Sequence, residues 1–134
     1  MKKIMLITII ALLPFLNHAQ GSEAKKSIKP TCISGDCKNG KGVLIYASGN
    51  RYEGDFKDGK FDGKGVIIFT NGARYEGDWK NDKRHGKGVL IYANGDRYEG
   101  DFKDGKIHGI GTLYNSKNKN LKKGRWEKGE YVGP

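Results

Sequence analysis

The sequence predicts an all-β fold: an elongated, curved, single antiparallel sheet built from tandem β-hairpins. Three observations carry that prediction. The stretch from Tyr75 to Arg97, YEGDWKNDKRHGKGVLIYANGDR, recurs lightly edited from Tyr52 and again from Tyr98, at a period of 23 residues, which marks a repeat array. Each copy opens on Tyr-Glu-Gly-Asp-Phe/Trp, the period-two alternation of a strand with one wet side. Asp-Gly and Asn-Gly pairs then stand where a hairpin must turn.

The elements follow in order. Lys2 and Lys3 precede an apolar run, Ile4 to Leu16, and Asn17-His18-Ala19 supplies a small residue before Gln20. This is the pattern of a secretory signal peptide over 1–19, cleaved near Ala19-Gln20, which makes the remainder exported, either periplasmic or secreted. A membrane span wants about 20 apolar residues, and this run is shorter. Residues 20–31, QGSEAKKSIKPT, are polar without apolar periodicity and read as a flexible linker.

The repeat domain is expected over 32–134. Its opening unit, 32–51, is partial: Gly40 to Tyr46 match the second half of a repeat, while CISGDC replaces the first half. In an exported chain Cys32 and Cys37 are placed to close a short disulfide loop that caps the sheet edge. Free thiols are the alternative, and two cysteines are too few ligands for a structural zinc site.

Full units span 52–74, 75–97 and 98–120. In the first, Tyr52, Gly54 and Phe56 share one face of a strand, Lys57 to Lys60 turn the chain, and Gly63 to Phe69 form the second strand. The middle copy has Asn81-Asp82 where its neighbours have Asp-Gly, so its hairpin is expected to bend differently. Strand glycines weaken a sheet unless something large lies over them. The rings of Tyr52 and Phe56, Tyr75 and Trp79, and Tyr98 and Phe102 are the natural cover for Gly54, Gly63 and Gly65, for Gly77, Gly86 and Gly88, and for Gly100, Gly109 and Gly111. A partial unit over 121–134 carries Trp126, which is expected to pack on the Tyr98 and Phe102 layer and close the array.

The charged residues argue against chemistry. Glu53, Glu76 and Glu99 form one column, Asp55, Asp78 and Asp101 another, and Asp62, His85 and His108 a third. Equivalent positions lie two strand spacings apart, roughly 10 Å, too far to share a metal ion or a reacting atom, so surface ion pairing is the plainer reading. No catalytic, metal or cofactor site is expected. The chain carries a formal charge of +10, yet units 52–74, 75–97 and 98–120 are nearly balanced and the excess sits at the two ends. A nucleic-acid binder would carry its basic stripe on the structured body, so nucleic acid is not expected as a partner.

The pattern Tyr-Glu-Gly-Asp-(Phe/Trp), followed by a turn and (Asp/His)-Gly-x-Gly, resembles the MORN repeat, the membrane occupation and recognition nexus unit. Three copies cover 52–120, with partial copies at about 38–51 and 122–134. The resemblance assigns framework positions: Tyr52, Gly54, Phe56, Gly59, Lys60, Gly63 and Gly65, with their counterparts from Tyr75 and from Tyr98. Asp62 departs where histidine is usual, and Asp82 where the turn glycine is usual. It implies a hairpin sheet used as an interaction or dimerisation surface, and it transfers no activity. A non-catalytic module that binds a partner protein or associates with itself is therefore expected. The alternative is peripheral contact with anionic lipid or an envelope polymer through the basic ends, where Lys25, Lys26 and Lys29 lie at one and Lys122, Lys123 and Arg125 at the other.

Overall fold

The computed structural model describes residues 29–134; the expected signal peptide and the linker up to residue 28 lie outside the described residues. Ten strands follow in chain order: β1 Thr31–Gly35, β2 Lys41–Ile45, β3 Arg51–Lys57, β4 Lys60–Ile68, β5 Arg74–Lys80, β6 Lys83–Ile91, β7 Arg97–Lys103, β8 Lys106–Tyr114, β9 Asn120–Glu127 and β10 Glu130–Gly133. They form one open sheet in which every strand pairs with its sequence neighbours, and every pairing is antiparallel. The fold class is the expected one.

The hairpin turns are two residues long and left-handed at both positions. Asp58 and Gly59 have φ of 51° and 76°, and Asp104 and Gly105 have 50° and 84°, the geometry that matches strand twist. Asn81 and Asp82 take the same conformation, at 48° and 68°, so the expected difference in the middle hairpin is corrected. Asn and Asp tolerate this region, and the previous unit holds the turn. The Asn81 N–H donates to Asp62 Oδ2 and the Asp82 N–H to the Phe61 carbonyl.

Register reveals what periodicity alone does not. Gly35, Gly42, Gly54, Gly65, Gly77, Gly88, Gly100, Gly111 and Gly124 are successive cross-strand partners, one glycine per strand from β1 to β9. The strands fold over this row. Tyr52 and Phe56 would stand about 13 Å apart on a straight strand, yet their ring centroids are 5.1 Å apart. Phe61, the cross-strand partner of Phe56, lies flat on Tyr52 at 3.7 Å. Between the Gly54–Gly65 and Phe56–Phe61 pairs, Asp55 alone faces Asp62, Gly63 and Lys64. That bulge supplies local bending, and Gly63 adopts a φ of 108°.

The core is the ring layer inside the bend. Tyr52, Tyr75 and Tyr98 are fully buried, and each hydroxyl donates to a backbone carbonyl, those of Asp55, Asp78 and Asp101. The tyrosines lie on the glycine row: a methyl group at Gly65, Gly88 or Gly111 would sit 2.2, 2.4 or 2.1 Å from a tyrosine oxygen. The Trp79 and Trp126 indoles donate to the carbonyls of Gly65 and Gly111, which satisfies their polar atoms inside the layer. Edge-to-face contacts link Tyr98 to Trp126 and Trp126 to Tyr131, so the layer continues to the last hairpin.

The first edge is capped by sulfur. Cys32 and Cys37 form a disulfide. Cys32 pairs with Leu44, the residue that Tyr52 pairs with from the other side, and Cys37 Sγ covers Gly42 as the tyrosines cover their glycines.

Candidate binding surfaces

The sixteen ring and strand-glycine positions singled out in the sequence stand on or beside the ring layer. Tyr52, Phe56, Tyr75, Trp79, Tyr98, Phe102 and Trp126 belong to the core cluster. Gly54, Gly65, Gly77, Gly88, Gly100 and Gly111 form the row beneath it. Gly63, Gly86 and Gly109 pair with Trp79, Phe102 and Trp126, and a methyl group on any of them would meet the carboxylate of Asp55, Asp78 or Asp101. These residues build the fold and leave the outer surfaces to do any binding.

Sequence reading missed one core position. The second strands begin at Lys60, Lys83 and Lys106, three residues before the glycines taken as their start. Phe61 and Ile107 are consequently buried in the layer. Their counterpart is Arg84, whose guanidinium lies 5.8 Å from the Tyr75 ring and 5.6 Å from the Phe102 ring and donates to the Gly105 carbonyl. Burial pulls the pKa of that guanidinium down. Burial also pushes the Tyr98 hydroxyl up to about 12, consistent with a hydroxyl that works as a hydrogen-bond donor.

The face away from the rings carries three registered rows. Lys41 pairs with Asp55, Lys64 with Asp78 and Lys87 with Asp101, across strands. Arg51 pairs with Glu53 at 3.1 Å, Arg74 with Glu76 at 3.0 Å and Arg97 with Glu99 at 3.2 Å, along strands. Between them stand Val43, Val66 and Val89, and Ile45, Ile68 and Ile91, which the register sets opposite the glutamates and arginines. The Asp55 carboxyl is held below its usual range by the Lys41 ammonium and then by the Lys64 N–H. For Asp78 burial acts in the opposite sense, but the Lys64 ammonium and Lys87 N–H outweigh it.

The hairpin tips form a further surface. Lys57 stands opposite Lys60, Lys80 opposite Lys83 and Lys103 opposite Lys106. Like charges directly opposite destabilise a sheet, and open depressions between tips are lined by Lys57, Lys60 and Lys80, and by Lys103, Lys106 and Lys128. Two members of the Asp-His-His column hold the next turn: Asp62 Oδ2 accepts the Asn81 N–H and His108 Nδ1 the Lys128 N–H. Among the described residues no three His, Cys, Asp or Glu side chains are grouped to hold a metal ion.

The family model for the MORN repeat matches residues 38–51, 52–74, 75–97 and 98–118. The chain belongs to the MORN repeat family. Repeats of this kind are non-catalytic binding modules for proteins or membrane lipids. Among curated proteins nothing matches the sequence. The matched residues include most of the ring layer and of its glycine row, so the membership concerns the framework.

Proposed function

We propose that this MORN sheet is an exported, non-catalytic module that binds a partner protein, or a second copy of itself, through the face opposite the rings. One observation carries the reading. The column carboxylates Glu53, Glu76, Glu99, Asp55, Asp78 and Asp101 are each tied to an ammonium or a guanidinium, which leaves a regular, extended surface suited to docking. Export is supported by the charge and apolar pattern of residues 1–19 and by the Cys32–Cys37 disulfide, a bond favoured in oxidising compartments. Capture from an envelope extract by the mature chain, at low and high salt, tests the role. A discrete protein retained at high salt supports it.

A second reading rests on the lysine pairs at the hairpin tips, which suit an anionic lipid or envelope polymer. Such binding weakens as salt screens the charges. Recovery confined to the lipid or wall fraction, and lost at high salt, would replace the first reading with this one.

A further inference from the structure

The outer face repeats faithfully until the junction of β8 with β9, where every row changes at once. Ile110 stands where Lys64 and Lys87 stand in earlier units, and its partner across the strands is Arg125 rather than aspartate. Thr112 faces Lys123 where valine faces glutamate, and Tyr114 faces Asn120 where isoleucine faces arginine. Beyond Arg125, β10 brings Gly133 into register. Val132 lies at a bulge between Tyr131 and Gly133 and is exposed to solvent.

Two properties separate this patch from an ordinary array end. Among the described residues three of the six exposed large apolar side chains are Ile110, Leu121 and Val132, and Ile110 is the most exposed of them at 57%. The charge is also one-sided. From Lys106 to Pro134 the chain has seven lysines and arginines against two glutamates, Glu127 and Glu130, which face each other across the last hairpin. Among the described residues neither Lys123 nor Arg125 has an ion-pair partner, while Arg97 stacks on the Tyr114 ring at 4.4 Å.

We infer that the outer face of β8, β9 and β10 around Ile110, Arg125 and Val132 is the docking surface for an acidic segment of a partner protein that also carries apolar side chains. The inference rests on the protein-binding role proposed above and locates it. Cations without an ion-pair partner call for carboxylates from the partner. Exposed branched aliphatics beside them call for apolar groups. Arginine and tyrosine are the residue types that dominate protein interfaces.

The test uses the repeat itself as control. The triple variant I110K/K123E/R125D restores the residues that Lys87, Glu99 and Asp101 supply one unit earlier, so it keeps the fold, which a thermal melt verifies. The probe is a fluorescein-labelled peptide alternating glutamate with valine, and anisotropy reads its affinity. The triple variant is expected to bind about thirtyfold more weakly than the parent. The converse variant, K64I/E76K/D78R, is expected to create a second binding site. Equal affinity of parent and triple variant overturns the inference. So does equal binding of a lysine–valine peptide, binding to phosphatidylglycerol vesicles in place of the peptide, or a self-associating parent whose dimer the triple variant abolishes. If an envelope protein is captured equally by the triple variant, the inference fails while the binding role stands. If only lipid or wall polymer is recovered, the role itself fails.

Discussion

The junction of β4 with β5 and the junction of β8 with β9 share one architecture on the ring side and differ completely on the other. In both, an indole donates to a glycine carbonyl across the junction, Trp79 to Gly65 and Trp126 to Gly111. In both, glycine faces glycine. On the outer side one junction carries Lys64 with Asp78, and the other carries Ile110 with Arg125. The lesson is a division of labour. The ring side is fully constrained by contact, so it repeats, whereas the outer side is constrained only by solubility and by whatever it touches.

The strongest way to break that comparison is to attack the ring side at both junctions. Gly65→Val and Gly111→Val each drive a side chain into a fully buried tyrosine, with the first carbon already 2.2 or 2.1 Å from its oxygen. Neither ring has free space to retreat into, so each substitution should cost about 4 kcal/mol or more. Denaturant melts of the two variants should fall together. A mild effect at Gly111 alone would mean that the last unit is packed more loosely than the first ones.

Removing the closing indole comes next. Trp126→Ala should lose about 3 to 5 kcal/mol and uncover Tyr98, with a rise in binding of a hydrophobic dye. Trp126→Phe keeps the ring and loses the bond to Gly111, which should cost only about 1 kcal/mol. If the two variants melt alike, the hydrogen bond matters more than the packing.

Much of this contrast was legible in the letters. The period, the strand alternation and the turns were readable in the letters alone, whereas Trp126 turns out to pass the ring layer on to Tyr131. The glycine row was not readable, because it exists only once eight strand pairings set the register. Phe61, Arg84 and Ile107 were hidden for a related reason: the bulge at Gly63 and its counterparts resets the alternation, so a residue two places before the glycine looked like part of the turn. The replacements at Ile110 and Arg125 were visible as a loosening of the pattern, but not as a patch, since only the pairing of β8 with β9 brings them together.

The opposite end sharpens the comparison from the N-terminal side. The Cys32–Cys37 bond closes a loop of sequence separation 5, so its removal by Cys32→Ser with Cys37→Ser should cost about 2 kcal/mol on the loop-closure scale. Its cover over Gly42 would go too, and amide exchange in β1 and β2 should speed up while β8 and β9 stay protected. Uniform loss of protection would show that the array unfolds as one unit.

The smallest effect is electrostatic and separates the two junctions by pH. The carboxyls of Asp55, Asp78 and Asp101 are depressed in the folded chain. A depressed folded value means that their stabilisation is fully present above the unfolded aspartate pKa of about 3.9, and is lost as pH falls through the folded value. Their lysine partners are mostly solvent-exposed, so each pair should contribute at most about 1 kcal/mol, and less as salt rises. Urea melts from neutral pH down to about pH 2.5 should therefore show a loss concentrated below about pH 4. Asp78→Asn should reduce that slope, because it removes one of the carboxylates responsible. Ile110→Lys with Arg125→Asp should steepen it, because the last junction then acquires the pair that the earlier junctions have. An unchanged slope in both variants would place the acid sensitivity elsewhere, and the ion-paired face would then owe little of its order to these pairs.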